Sequence, residues 1–394
     1  KNNQNEVSLP PFASFSNMKS QKISLTPSTL FNRHLMAVGT TNSGKSTSSL
    51  SILDKLIKQR KKTLIIDPTG EYIEAFSDVN SLTLGEDTVI STGELSSQQW
   101  EILFETNDNT QGSILSEAMK SLRFQKQTQT SSVYKKIGKS PAEVDADMTT
   151  VIERGFDLSL LPSQINQESV EISNRAPNVG KYVYNTFGAN VNAWLVQKVQ
   201  HKLSNSSFTT FFGDDPSKSN LISKLNEFSH SETSSLYIDC SKIGTTDGIG
   251  GMIVDLISNH LINLDKIDIK PFVMFIDEVH RYTKSVTNEL DYHTGLTSIA
   301  REGRKKGVFL FLTTQNPNDV PDILLGQIGT LLIHRLTHSE ELRAIQNHLK
   351  NHTLGQIKKL NQGESILTSI NLLQDIHITI DECDRKHDND TPSL

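Results

Sequence analysis

Short runs of apolar residues alternate along most of the chain with longer stretches that have helical spacing. The runs that read as strands are residues 33–39, 63–67, 87–92, 235–240, 272–277, 307–314, 330–336 and 376–381. Several are apolar on both faces, which is typical of a parallel sheet covered by helices on two sides. Between them, residues 45–60, 249–264 and 286–306 repeat apolar positions with the period of a helix. The alternation predicts an α/β fold with a mostly parallel central sheet.

The pattern changes in the middle of the chain. In residues 97–233 Ser, Asn, Gln and Lys become frequent, apolar residues keep helical spacing, and strand-like runs are absent. We interpret this stretch as a helical insertion that interrupts an α/β core formed by residues 31–96 and 234–380. Residues 1–30 then form an N-terminal segment, and the polar residues 381–394 form a C-terminal tail.

Composition excludes several classes of protein. The 394 residues carry a net charge of −6, so a polyanionic partner must meet a local basic surface. Cys240 and Cys383 lack the spacing of a disulfide scaffold or a zinc site. Because the chain has neither an apolar run of about 18 residues nor a signal peptide, we expect a cytoplasmic protein without a membrane partner. It begins without Met, so we also expect that a further N-terminal part precedes it.

The stretch VGTTNSGKST (38–47) carries the clearest chemical signal. It fits the pattern G-x-x-x-x-G-K-[ST] between a predicted strand and a predicted helix. Glycines let backbone N–H groups turn toward a phosphate, and the helix adds its positive N-terminal end. Lys45 is expected to reach the β- and γ-phosphates and Ser46 to bind Mg²⁺. The alternative is an ordinary glycine-rich turn. The predicted nucleotide-binding residues of this loop are Gly39, Thr40, Thr41, Asn42, Ser43, Gly44, Lys45, Ser46 and Thr47.

Two adjacent acids indicate hydrolysis. FVMFIDEVH puts Asp277 and Glu278 after an apolar strand, where open α/β sheets bind their ligands. We expect Asp277 to hold Mg²⁺ through water and Glu278 to polarise the attacking water. Adjacent acids also occur at strand ends without a function. The chain has no guanine-reading NKxD, which favours an ATPase over a signalling GTPase.

Further polar residues follow other predicted elements. Gln315, after the next strand, is expected to sense the γ-phosphate, and Asp67 and Glu71 in DPTGEY to lie at the same sheet edge. For these three residues an incidental strand end or an ordinary turn is the alternative. Arg301 and Arg304 close a helix, and arginine is suited to bridging phosphate oxygens from a neighbouring subunit. The helix dipole alone also favours basic residues there.

Five segments together resemble the HerA family of the HerA/FtsK superfamily. They are RHLMAVGTTNSGKST, LIIDPTGEY, VMFIDEVHRY, IAREGRKKGVFLFLTTQNPNDV and KLNQGESIL, in this order. The resemblance covers residues 31–96 and about 234–380. It implies a RecA-like P-loop NTPase core that uses ATP and Mg²⁺ and translocates on double-stranded DNA as a hexamer.

The resemblance also implies roles for residues already singled out. These are nucleotide binding by Lys45 and Ser46, Mg²⁺ binding and catalysis by Asp277 and Glu278, sensing by Gln315, and action in trans by Arg304 or, failing that, Arg301. It implies an N-terminal β-barrel, of which residues 1–30 could supply only the last strand. It further implies a partner such as a NurA-like nuclease or, in antiphage systems, a sirtuin-type NADase.

Two functions follow from these patterns. The first is an ATP-driven hexameric DNA translocase that serves a nuclease or other effector. The alternative is an ATP-dependent ring scaffold that assembles and activates an effector. Basic clusters at 123–126, 134–139 and 304–306 are candidate DNA contacts, although each fits a solvated face better. The sequence leaves the effector, the direction of translocation and the DNA-contacting residues open.

Overall fold

The computed structural model describes residues 6–106, 110–204, 206–243, 249–265, 269–283, 295–350 and 353–385. The chain divides into two compact units, and each is described by itself. The core unit comprises Lys1–Thr83 and Ser223–Leu394, and the insertion unit comprises Leu84–Ile222.

Strands are numbered in chain order. They are β1 (Ala13–Phe15), β2 (Met18–Ile23), β3 (Leu35–Val38), β4 (Thr63–Asp67), β5 (Asn80–Thr83), β6 (Thr88–Val89), β7 (Val170–Ile172), β8 (Tyr182–Tyr184), β9 (Ser219–Asn220), β10 (Leu236–Asp239), β11 (Phe272–Ile276), β12 (Val308–Thr314), β13 (Thr330–Ile333), β14 (Glu364–Ser369) and β15 (Ile376–Ile380).

Helices are numbered in the same way. They are α1 (Pro27–Phe31), α2 (Lys45–Lys58), α3 (Ser97–Leu103), α4 (Gln111–Gln127), α5 (Pro141–Thr149), α6 (Leu161–Gln167), α7 (Thr186–Ser204), α8 (Ser206–Phe211), α9 (Leu221–His230), α10 (Ile249–Asn263), α11 (His280–Thr283), α12 (Gly295–Ser298), α13 (Arg304–Lys306), α14 (Asp322–Leu325), α15 (Ser339–Ile345) and α16 (Leu354–Ile357). Short 3₁₀ turns span Leu158–Leu160, Pro317–Asp319 and Gln346–His348, and a π-helical turn spans Ile299–Gly303.

An eleven-stranded sheet forms the centre of the core unit. Its order is β2-β1-β15-β14-β13-β3-β12-β11-β4-β10-β5. The pairs from β13 to β5 are parallel, whereas those from β2 to β13 are antiparallel. Strands β3, β4 and β11 are buried at every position, as expected for a sheet covered on both faces. The predicted α/β fold with a mostly parallel sheet is therefore confirmed.

The predicted strands agree with the observed strands to different extents. Seven of the apolar runs contain β3, β4, β10, β11, β12, β13 and β15. The run at 87–92 contributes only the short β6, which pairs with β9 inside the insertion unit. Residues 286–294 of the predicted third helix lie outside the described residues, and its remainder forms α12, the π-helical turn and α13.

The predicted N-terminal segment, residues 1–30, contains two strands of the core sheet. Strands β1 and β2 form an antiparallel pair, and β1 also pairs with β15, so that Ala13 lies opposite Ile380. Residues 13–23 therefore extend the core sheet. The predicted tail is also anchored at its start, because Arg385 binds Asp54 of α2 and Asp78. Residues 386–394 lie outside the described residues.

The insertion unit is mainly helical, but its limits differ from the predicted 97–233. Residues 84–92 belong to it because Thr88 pairs with Ser219 and Ile90 with Phe212. Residues 223–230 belong to the core unit, where Phe228 packs edge-to-face on Phe272. The insertion unit also contains β7 and β8, which form a small antiparallel pair.

Aromatic side chains build the centre of the insertion unit. Trp100 of α3 is fully buried, and its ring centroid lies 5.6–5.7 Å from those of Phe104, Phe156 and Phe212. Ser96 begins α3 with a capping box to Gln99. The insertion unit therefore has an apolar core of its own, as an inserted domain requires.

Candidate active site

Parallel strands bring the predicted site residues to one edge of the core sheet. β3, β12, β11 and β4 are neighbours in this order, so their carboxyl ends lie side by side. The loop 39–44 follows β3, Asp67 ends β4, Asp277 and Glu278 follow β11, and Gln315 follows β12. Open α/β sheets bind their ligands at this edge.

Neighbouring backbone shapes the phosphate-binding loop between β3 and α2. Gly44 has φ +100°, and a Cβ atom there would lie 2.8 Å from the backbone nitrogen of Gly363. A Cβ atom on Gly39 would lie 2.6 Å from the Cβ of His334. Because Gly44 has no side chain, α2 begins without a side-chain cap, and its first N–H groups can bind an anion. The geometry of this loop is therefore suited to binding a phosphate.

A cavity of about 610 Å³ opens beside this loop. Its volume is in the range of known ligand pockets. The predicted residues Gly39, Ser43, Asp67 and Asp277 are buried and do not line it. The lining residues are Thr40, Thr41, Asn42, Gly44, Lys45, Ser46, Thr47, Thr69, Glu71, Glu278, His280, Arg281, Gln315 and Gln362.

Glu278 is the centre of a polar cluster in the cavity. Its Oε1 contacts the ammonium of the buried Lys45 and accepts a 3.0 Å hydrogen bond from Gln315 Nε2. Its Oε2 accepts from the Gln315 backbone N–H at 3.2 Å and lies 3.2 Å from Nδ1 of His280. Thr41 Oγ1 in turn donates to Gln315 Oε1 at 3.1 Å. The loop, the acid and the predicted sensor thus form one connected network.

The two adjacent acids have opposite electrostatic surroundings. Burial alone would raise the pKa of Glu278, but the hydrogen bond with His280 and the contacts with Lys45 and Gln315 outweigh it and lower this pKa. For Asp277 burial prevails, and the charge of Glu278 adds to the rise of its pKa. Glu278 is therefore ionised at neutral pH, as a group that polarises water must be.

Asp67 and Glu71 separate into two roles. Asp67 is fully buried, and its carboxylate accepts hydrogen bonds from the backbone of Thr69, Gly70 and Tyr72 and from the hydroxyl of Tyr237. It shapes the turn after β4 instead of facing the cavity. Glu71 does line the cavity, and burial, followed by the charges of Asp67 and Glu278, raises its pKa.

Oxygen donors suited to Mg²⁺ lie beside the phosphate-binding loop. Asp277 is buried beside Glu278, and its Oδ1 accepts from Thr313 at 2.6 Å and from the Tyr72 hydroxyl at 3.4 Å. The hydroxyl of Ser46, which lines the cavity, also interacts with Tyr72. A carboxylate and a hydroxyl are hard oxygen ligands of the type that Mg²⁺ prefers, so these residues fit that ion.

The predicted arginines lie at the other edge of the sheet. Arg301 and Arg304 line a cavity of about 170 Å³ together with Arg33, His34 and Lys305. It lies near the start of β3 and β12, whereas the phosphate-binding loop follows the end of β3. The structure therefore does not bring either arginine to the nucleotide cavity of its own chain.

Several cavity residues were missed by the sequence reasoning. His280 and Arg281 directly follow the acid pair in FVMFIDEVHRY, and Gln362 lies in KLNQGESIL, so the quoted motifs contained them. Their part in the cavity depends on contacts between distant segments. One example is the hydrogen bond from the backbone N–H of Gly363 to the carbonyl of Ser43, which ties the loop before β14 to the phosphate-binding loop.

The basic clusters of the insertion unit are largely paired with acids. The pairs are Lys126 with Asp214, Lys136 with Glu117 and Glu168, and Lys139 with Asp147. These contacts favour a structural role for the three lysines. No helix in the described part of the chain combines the length and apolarity that crossing a membrane requires.

Solved structures resemble the whole chain at low sequence identity. VirB4 of Thermoanaerobacter pseudethanolicus has a TM-score of 0.63 at 13% identity, covering 97% of this chain and 98% of that one. The plasmid coupling protein TrwB in complex with ADP and Mg²⁺ has a TM-score of 0.58 at 13% identity, covering 96% of each chain. This likeness confirms the RecA-like fold of P-loop ATPases.

Curated relatives are similar in sequence. The DNA double-strand break repair helicase HerA of Sulfurisphaera tokodaii is 23% identical over 388 residues, which are 92% of this chain and 67% of that relative. A probable helicase of Methanocaldococcus jannaschii, MJ1565, is 28% identical over 128 residues, which are 32% of this chain and 25% of that relative.

Family models cover most of the chain. The model of the helicase HerA central domain matches residues 13–263, and the model of the helicase HerA-like C-terminal domain matches residues 253–371. These two regions contain the phosphate-binding loop, the acid pair and Gln315. The chain therefore belongs to the HerA helicase family of P-loop ATPases.

Proposed function

We propose that this chain is an ATP-driven motor that translocates on double-stranded DNA as a homohexamer. It uses Mg²⁺, works in the cytoplasm and serves a nuclease or other effector, either NurA-like or sirtuin-type, in a role such as antiphage defence. The observation that carries the proposal is the network of Lys45, Glu278 and Gln315 in one cavity at the carboxyl edge of the core sheet.

ATP binding has to rearrange the contact between Lys45 and Glu278. A lysine that binds the β- and γ-phosphates leaves the carboxylate, while Gln315 and His280 still hold it. Loss of the ammonium removes one of the contacts that lower the pKa of Glu278, so its basicity rises. Glu278 is then the residue that polarises the attacking water.

In this proposal Ser46 and Asp277 bind the metal ion. The loop residues 39–47 bind the nucleotide together with Glu71. Bound Mg²⁺ would neutralise charge on the transferred phosphoryl group. Asp67 acts indirectly through the turn that carries Glu71.

The arginines support assembly into a ring. The cavity at the amino edge of the sheet presents Arg33, Arg301, Arg304 and Lys305, and no acid lines it among the residues that the structure describes. A head-to-tail contact between copies would bring these cations to the nucleotide of the next copy, which is how trans-acting arginines work. Arg304 is the first choice for this role and Arg301 the second.

Catalysis is tested by two substitutions measured together with their controls. Lys45→Ala and Glu278→Gln are expected to abolish ATP turnover, whereas Lys55→Ala on the same helix and Glu74→Gln on the exposed turn leave it intact. Turnover is measured across a titration of linear duplex DNA, with particle mass recorded in the same buffer. DNA-stimulated turnover by a six-copy particle supports the motor, and unchanged turnover in both site variants contradicts it.

The second candidate function is a ring scaffold that binds ATP to assemble and activate an effector. It is favoured by the ion pairs that engage Lys126, Lys136 and Lys139 in the insertion unit. If Glu278→Gln assembles and supports effector activity while Lys45→Ala does not, the scaffold replaces the motor.

A further inference from the structure

One buried hydroxyl connects the two acids of the active site. Thr313 lies on β12 beside β11, one residue beyond the paired Leu312 and Ile276. Its Oγ1 accepts a hydrogen bond from the backbone N–H of Glu278 at 2.9 Å and donates one to Asp277 Oδ1 at 2.6 Å. An N–H group can only donate and an ionised carboxylate can only accept, so the single hydroxyl proton goes to Asp277. The direction of both bonds is thereby fixed.

The first bond holds an unusual backbone. The backbone of Glu278 has φ +45°, in the left-handed region that residues with a Cβ atom rarely adopt. Such a conformation persists only where surrounding contacts enforce it. Thr313 supplies two of them, because its hydroxyl accepts from Glu278 and its carbonyl accepts from Val279 N–H at 2.8 Å. The direction of the Glu278 side chain depends on this turn.

The second bond orients a carboxylate that is buried. Tyr72 donates to the same oxygen of Asp277 at 3.4 Å, so the 2.6 Å bond from Thr313 is the shorter of the two. A buried carboxylate that loses such a donor keeps the cost of desolvation without compensation. Thr313 itself is fully buried and does not line the nucleotide cavity.

We propose that Thr313 is a positioning residue of the ATPase, whose one hydroxyl orients Asp277 toward Mg²⁺ and Glu278 toward the attacking water. This inference rests on the proposed hydrolysis of ATP. The chemistry requires the hydroxyl and not the methyl group, so serine meets the requirement and valine, which has nearly the same shape as threonine, does not.

The test compares Thr313→Val with Thr313→Ser. For Thr313→Val we expect kcat to fall at least about tenfold and the gain in affinity for a non-hydrolysable ATP analogue on adding Mg²⁺ to shrink about tenfold, which corresponds to 1.4 kcal/mol. Affinity for the same analogue in EDTA should stay within about twofold of wild type, since the phosphate-binding loop is unchanged. Thr313→Ser should restore both losses.

Thr330→Val serves as the matched control, because Thr330 is a buried threonine on β13 whose hydroxyl contacts Ser369 outside the nucleotide cavity. It should leave turnover and the Mg²⁺ effect unchanged. The inference is overturned if Thr313→Val keeps wild-type values, if Thr313→Ser is impaired equally, or if affinity in EDTA falls as far as affinity with Mg²⁺. A wild-type protein without turnover overturns the proposed function instead, and the Mg²⁺ effect on binding still decides the role of Thr313.

Discussion

The two edges of the core sheet carry opposite chemistry. At the carboxyl edge, a cavity of about 610 Å³ holds Glu71 and Glu278 beside Lys45, with Asp277 buried beside Glu278. At the amino edge, a cavity of about 170 Å³ presents Arg33, Arg301, Arg304 and Lys305. The same chain thus holds a site suited to a nucleotide and a set of cations that do not line it. Under the proposed function, a complete site therefore needs two copies.

The largest loss of turnover is expected from a substitution at the carboxyl edge. Glu278→Gln keeps the shape of the side chain but removes the base, so kcat should fall roughly 10³-fold while nucleotide affinity stays near wild type. Steady-state turnover and equilibrium binding of a fluorescent ATP analogue measure the two quantities. Equal loss of binding and turnover would mean that Glu278 supports the fold of the cavity and not the chemistry.

The next largest loss of turnover is expected from a substitution at the amino edge. Arg304→Ala should lower kcat roughly 10²- to 10³-fold, because an arginine on the transferred phosphate stabilises charge that develops in the transition state. Arg301→Ala is the comparison, and the variant with the greater loss identifies the arginine that acts. If both variants turn over ATP like wild type, the amino edge has no part in hydrolysis.

A third prediction concerns the carboxyl edge and the pH dependence of the free energy of unfolding. Burial lowers the pKa of His334, which packs against the phosphate-binding loop at the carboxyl edge, to about 4. The unfolded chain takes up this proton near pH 6.5, so the free energy of unfolding should fall by about 3 kcal/mol as the pH drops from 6.5 to 4.

Urea unfolding at pH 7, 5.5 and 4.5 measures this loss. His334→Gln cannot titrate and should show a shallower decline over the same window. An equal decline in both proteins would assign the acid sensitivity to other groups.

The smallest effect concerns an arginine that already has partners in its own chain. Arg385 binds Asp54 of α2 at 3.0 Å and Asp78 at 2.6 Å, and its guanidinium lies over the ring of Phe76. Arg385→Ala should therefore lower the free energy of unfolding by about 1–2 kcal/mol without changing kcat at saturating ATP. A fall in kcat comparable to that of Arg304→Ala would remove the distinction between the two kinds of arginine.

The sequence predicted the parts of the site that depend on neighbours along the chain. The glycines and Lys45 form one loop, and Asp277 and Glu278 follow one apolar strand, so both appear as compact motifs. The parallel orientation of the central strands was also predicted from their apolar character, as in β3 and β11.

Other features depend on contacts between distant segments, which a single sequence does not reveal. Asp67 turns away from the cavity because Tyr237, 170 residues later, and the turn after β4 use its carboxylate. Thr313 joins the acids only because β12 lies beside β11. Strand β1 has only three residues, and the edge strand β2 is mostly polar, with Met18 to Lys22 exposed, so their pattern gave no sign of the sheet.

The central claim is that the carboxyl edge of one copy and the amino edge of another form a single site. It is tested most directly by co-expressing Glu278→Gln and Arg304→Ala chains with different tags and measuring the ATP turnover of purified mixed particles. The account predicts recovery to roughly a quarter of wild-type turnover, because one in four random contacts joins an intact acid to an intact arginine. Turnover no higher than that of the separate variants would contradict it.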